Sequence, residues 1–120
     1  MATDETDPLV AFCRSLPGAT EDIKWDNDLV FSVGGKMFAA FGLPELQSIG
    51  CKVEPAAFDV LTRQPGIIPA PYLARAFWIS LKREALPQEA IEDLLRESHA
   101  LVAAKLSKKV RKSLEIGEPT

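Results

Sequence analysis

The densest chemistry in the sequence is a run of cations near its C-terminal end. Lys105, Lys108, Lys109, Arg111 and Lys112 place five bases within residues 105–112. On a continuous helix Lys105, Lys108, Lys109 and Lys112 share one face, where like charges at three- and four-residue spacing repel. A polyanion would relieve that repulsion. Neutralising five phosphates predicts a log–log salt slope of about −4.5, or roughly 500-fold weaker binding between 50 and 200 mM salt. The competing reading is a solvated tail whose cations complement the C-terminal end of the preceding helix.

Other candidate constellations are thinner. Gly34-Gly35-Lys36 resembles the end of a phosphate loop, but Met37 follows the lysine where Ser or Thr is required, and no early glycine precedes it. The single histidine, His99, follows Ser98 directly, so on a helix the two side chains point about 100° apart and cannot form a nucleophile–base pair. A boundary position on the helix is expected for it. The acids Glu21, Asp22, Asp26 and Asp28 lack the glycine and terminal glutamate of a calcium loop and read as a solvated turn. Cys13 and Cys51 sit on apolar faces of a helix and a strand, as core residues do. One His and two separated Cys have no metal-ligand spacing, so neither metal nor cofactor is expected. Trp25, Tyr72 and Trp78 could stack nucleobases, or fill a core. Nothing assembles an active site, and the chain is expected to be non-catalytic.

The composition fits one soluble globular domain. The 120 residues are 47% apolar and 26% charged, with a net charge of −3. These values exclude wholesale disorder, collagen-like or coiled-coil architecture and a disulfide scaffold. No apolar run reaches the roughly 18 residues a bilayer span requires. The charge is graded along the chain: residues 1–28 carry net −5, 29–104 net −1 and 105–120 net +3. Only the C-terminal end could hold a polyanion. The acidic start of the sequence is the opposite of a signal peptide's basic region, and a cytoplasmic location is expected.

The elements that position these residues follow from apolar periodicity. Residues 7–15 predict a helix with Asp7 as N-cap and Pro8 in its first position. Residues 23–25 predict a short strand. Two alternating runs, 29–33 and 37–43, flank Gly34-Gly35 and predict a tight hairpin. A further strand is expected over 48–53, a short helix over 56–63, and a structured loop over 67–72, where Pro69 and Pro71 limit ladder donors. A last strand is predicted where Phe77, Ile79 and Leu81 alternate with Trp78, Ser80 and Lys82. A long helix follows Pro87, its apolar stripe running from Ile91 to Leu106, and Ser107 is placed to cap a short segment through Lys112. The fold class is α+β: an antiparallel β-sheet packed against N-terminal, middle and C-terminal helices. Residues 1–120 are expected to form a single domain, with flexible ends over 1–6 and 113–120.

Four stretches carry a resemblance that spans roughly residues 8–112. They are Leu16-Pro17-Gly18-Ala19-Thr20-Glu21, Val33-Gly34-Gly35-Lys36-Met37-Phe38-Ala39, Pro69-Ala70-Pro71-Tyr72-Leu73-Ala74 with Trp78, and residues 98–111 containing Lys105-Leu106-Ser107-Lys108-Lys109. In these the sequence resembles the MmcQ/YjbR family of small bacterial proteins. It departs where Glu21-Asp22 leads into Ile23-Lys24-Trp25-Asp26-Asn27, a place where relatives often have Trp-Gly or Phe-Gly. The resemblance implies an α+β fold with hairpins projecting as a double wing, DNA as partner and no catalytic residues. The implied wing tips are Gly34-Gly35-Lys36 and the Lys82-Arg83 turn, and the implied phosphate contacts come from Lys105, Lys108, Lys109, Arg111 and Lys112, supported by Lys36, Lys82 and Arg83. Such contacts position a duplex largely without reading its sequence. The alternative is a protein- or small-ligand-binding module using a cleft near Tyr72 and Trp78. The surroundings of Trp78 separate the two: buried in the core it serves neither, exposed beside basic residues it favours DNA, and lining a cavity it favours a ligand.

Overall fold

The computed structural model describes residues 7–24, 27–43, 45–71 and 73–114. Helix α1 (Pro8–Ser15) leads into strands β1 (Ala19–Lys24), β2 (Asp28–Val33), β3 (Lys36–Gly42) and β4 (Ser48–Lys52). Helix α2 (Pro55–Leu61), strands β5 (Ile67–Pro69) and β6 (Trp78–Lys82), and helices α3 (Gln88–Ala103) and α4 (Lys108–Ser113) follow, with short 3-10 turns at Ala74–Ala76 and Arg83–Ala85 on either side of β6. The strands form one antiparallel sheet in the order β1-β2-β3-β4-β6-β5.

One face of that sheet carries the core. Leu29, Phe31 and Val33 alternate toward it from β2, Ile49 and Cys51 from β4, and Ile79 and Leu81 from β6, all at most 5% exposed. Helix α3 lays Ile91, Leu95 and Val102 across them, while α1 contributes Leu9, Val10 and Cys13. Helix α2 is more peripheral: Ala57, Phe58 and Leu61 pack only partly against the core.

The β2–β3 pairing contains a bulge. Phe31 pairs with Ala39 and Ser32 with Met37, which leaves Phe38 as the extra residue. Its ring enters the core against His99, at a centroid distance of 5.0 Å. The β3–β4 ladder extends from Phe41 to Ala39 and is continued by a side chain. Ser98 Oγ donates to the Phe38 carbonyl (2.6 Å) and accepts from the Lys52 amide (2.9 Å). Without that hydroxyl two interior backbone groups would lose a partner, at a cost of about 1–3 kcal/mol each. His99 is buried rather than at the boundary, and its Nε2 lies 2.7 Å from the Pro17 carbonyl. A carbonyl can only accept, so Nε2 carries the proton. Both residues tie α3 to the sheet and to the Leu16–Gly18 turn.

Several local expectations change. Strand β1 begins at Ala19, not Ile23, because an edge strand exposed on both faces needs no apolar alternation. Residues 67–69 form an edge strand, where a proline can leave one side of the ladder without a donor. Phe77 does not point inward: it adopts a left-handed φ of 63°, stands outside the strand, and packs edge-on against Phe58. At the C-terminal end Leu114 packs against the core, whereas 1–6 and 115–120 lie outside the described residues. Cys13 and Cys51 are both buried, and burial pushes both thiols up, Cys51 to about 12, so neither is a ready nucleophile.

Asp7 caps α1 through the amides of Leu9 and Val10 and pairs with the Arg83 guanidinium. Burial alone would raise its carboxyl, but Arg83 and the two amides together outweigh that and hold it below the ordinary value of 3.8. A lowered folded value means that the stabilisation is complete above the unfolded value and disappears as pH falls through the folded one. Asp7→Asn retains the cap and removes the charge. Urea denaturation should find it less stable by about 1–3 kcal/mol near neutrality, with the gap to the parent closing in acid below 3.8. A gap that stays constant through the acid range would contradict this role.

Candidate functional site: a trough on the uncovered face of the sheet

Residues of opposite parity in the same strands face away from the helices. Asp28 comes from β2, Met37, Ala40 and Gly42 from β3, Ser48 and Gly50 from β4, and Trp78 and Ser80 from β6. Strand registers align Ala40, Gly50 and Ser80 in one row across three strands. Small side chains in adjacent positions leave a shallow floor instead of a packed surface. The Trp78 indole stands next to Gly50, its Cε3 and Cζ3 3.8 Å from where a Gly50 Cβ would stand.

Trp78 is held in place from both sides of its own backbone. Its carbonyl accepts from Ala70 N (2.9 Å) and its amide donates to Leu73 O (3.3 Å). These bonds fold the segment containing Ala70, Pro71 and Leu73 over one end of the floor. The left-handed turn at Phe77 sends that ring toward Phe58 and the next ring, Trp78, onto the uncovered face. The result is a trough of about 550 Å³ with an indole wall and a mainly apolar lining.

Two ionisable regions border it. Asp28 lines the trough at its β2 side and makes no ion pair or hydrogen bond with its side chain among the described residues, although Lys24 stands opposite it in register. Beyond Gly42 and Ser48 the trough adjoins a second, more polar hollow of about 400 Å³ that includes Lys82 and Glu84. The other acids singled out in the sequence do not join Asp28. Glu21 is bound by Arg14 at 2.5 and 2.9 Å, Asp22 accepts from the Ile23 amide, and Asp26 lies outside the described residues. No group of three or more His, Cys, Asp or Glu side chains among the described residues could hold a metal ion.

The cations separate into two ends of the sheet. Lys36 opens β3 beside the Gly34-Gly35 turn, whose φ values of 59° and 81° require glycine or a similarly permissive residue. Leu106 presses on that turn so closely that a Cβ on Gly34 would sit 2.7 Å from its methyls. This contact sets the turn that precedes Lys36 against the residue that follows Lys105, and Lys52 is near enough to Lys105 to have its pKa lowered, first by burial and then by that second cation. Ser107 caps a separate helix as its position predicts: α3 ends at Ala103, and Lys108, Lys109 and Lys112 occupy α4, exposed, so Lys105 does not share one continuous helical face with them. Arg111 turns back to donate to the Leu106 carbonyl at 2.6 Å and is half-buried. Lys82 and Arg83 lie at the opposite end of β6, the former beside the polar hollow and the latter paired with Asp7. Thus Lys36 joins the C-terminal lysines, whereas Lys82 and Arg83 do not.

Of the pocket residues expected from sequence, Trp78 forms the wall and Tyr72 lies outside the described residues, as does Trp25. The floor residues were missed. Their signal is small size at consecutive non-core positions, Ala40 and Gly42, Ser48 and Gly50, which apolar periodicity discards. Lys52 was missed because it is isolated in sequence and reaches the basic end only through strand pairing.

The family model of YjbR matches residues 14–101. A crystal structure of a Deinococcus radiodurans protein with a DUF419 domain superposes with a TM-score of 0.84 at 28% identity, covering 100% of this chain and 96% of that one. A Pseudomonas syringae protein shares the fold with a TM-score of 0.62 at 22% identity, over 77% of this chain and 93% of that one. No curated protein matches the chain. No helix among the described residues is long and apolar enough to cross a membrane. With the family match extending over most of its length, the chain belongs to the YjbR family.

Proposed function

We propose that this protein is a non-catalytic binding module whose trough on the uncovered sheet face takes a small, largely apolar ligand. The observation that carries this reading is the position of Trp78: it is only 5% exposed, yet it lies on the face opposite α1 and α3 and lines a cavity there. The volume of about 550 Å³ falls within the range of small-molecule sites. Among the described residues the two non-glycine positions with positive φ, Leu46 and Phe77, both come shortly before strands that line the trough. Backbone strain of this kind persists where surrounding structure fixes it and concentrates at binding sites. Ligand-observed NMR with a set of small aromatic fragments tests the reading. Fragments should bind the parent and lose binding in Ala40→Leu, which fills the middle of the floor, while the thermal midpoint stays within a few degrees. Equal binding to both proteins would contradict it.

A second reading, DNA binding through phosphate contacts with little sequence preference, is supported by the gathering of Lys36 and Lys52 near Lys105 at the α4 end. It draws on Lys36, Lys105, Lys108, Lys109 and Lys112, all exposed, and no longer on Lys82, Arg83 or Arg111. Fluorescence anisotropy of a labelled duplex should then give a log–log salt slope of about −4.5, and binding should disappear when these five lysines are replaced by Gln. No binding at low salt, or binding unaffected by the substitutions, would overturn this reading.

A further inference from the structure

Building on the trough as a ligand site, we infer that its ligand is a flat ring system bearing a protonated nitrogen. The shape requirement comes from the floor. Ala40, Gly50 and Ser80 present almost no side-chain relief across three paired strands, and the Trp78 indole stands beside them. A thin, rigid body can lie along this floor, whereas a branched aliphatic body of equal volume would meet only part of it.

The charge requirement comes from Asp28. Its carboxylate borders the trough directly, at intermediate exposure, with no partner of its own among the described residues. The cations nearest in the strand registers are elsewhere engaged or displaced. Lys24, opposite on the edge strand, is exposed and forms no ion pair with it, and Lys82 lies in the adjoining hollow on the far side of Gly42 and Ser48. An anion at the rim of an apolar cavity favours a ligand that brings a charged donor, because the donor gains a charge-assisted hydrogen bond while the ring is desolvated. An anionic ligand would meet Asp28 as a repulsion.

Calorimetric titration with three related probes tests this inference: 9-aminoacridine, which is protonated near neutrality, acridine, which is neutral slightly above neutrality, and acridine-9-carboxylate, an anion. The parent should bind the cation about tenfold or more tightly than the neutral ring, and the anion least. Asp28→Asn should bring the cation's affinity down to that of the neutral ring without altering the thermal midpoint, since Asp28 has no partner to lose. Ala40→Leu should abolish binding of all three. If the three probes bind alike, or Asp28→Asn leaves the cation's advantage intact, the charge inference is overturned while the trough stands. If the probes bind Ala40→Leu as they bind the parent, the trough itself is not their site and the underlying reading fails with it. Absence of any binding to the parent overturns the flat-cation inference, leaving the trough to be judged by the fragment measurement.

Discussion

A six-stranded antiparallel sheet covered by helices on one side only must manage its second face with its own side chains. Every strand presents alternate residues to that face, and a continuous apolar surface there would invite association. This chain responds in two ways. The outer strand β1 is polar, with Glu21 and Asp22 exposed. The central strands instead carry Ala40, Gly42, Ser48, Gly50 and Ser80, with the large ring of Trp78 beside them. Neither charged nor filled, the central region becomes a hollow by default, and the loop anchored to both backbone groups of Trp78 gives it a wall.

The helix-covered face makes that hollow rigid. Ser98 reaches from α3 to the two backbone groups where the β3–β4 ladder ends, and His99 fastens the same helix to Pro17. The β3 bulge at Phe38 is thereby fixed in place, and the register that aligns the floor residues follows from it. Downstream, Leu106 closes on the Gly34 turn, so the same long helix also determines where the C-terminal lysines stand relative to Lys36. One helix thus relates the trough to the basic end, although the two occupy different regions of the sheet.

Local chemistry was the legible part of this fold. Asp7-Pro8 announces α1, Gly34-Gly35 announces a turn needing positive φ, and Ser107 announces α4; all three act through bonds or dihedrals within a few residues. Pairing partners far apart in sequence were not legible. Lys52 joins Lys105, Arg83 is taken by Asp7, and Arg111 is drawn back to the end of α3, each by contacts that no local pattern encodes. The site divides in the same way. Trp78 could be singled out as a large ring near a proline-rich loop, but the floor is composed of residues whose importance is the volume they leave empty. Phe77 shows the limit of periodicity most clearly, since one left-handed residue reverses the face that alternation assigns to it.

The central claim is that the uncovered face holds a preformed cavity against Trp78. A crystal of the unmodified chain soaked in phenol tests it most directly, because a small planar solute occupies apolar sites of suitable shape without needing the natural ligand. Phenol should lie over Ala40 beside the Trp78 indole, with the surrounding backbone unchanged. A Trp78 side chain swung across the floor to fill the trough, or phenol bound only at other surfaces, would contradict it.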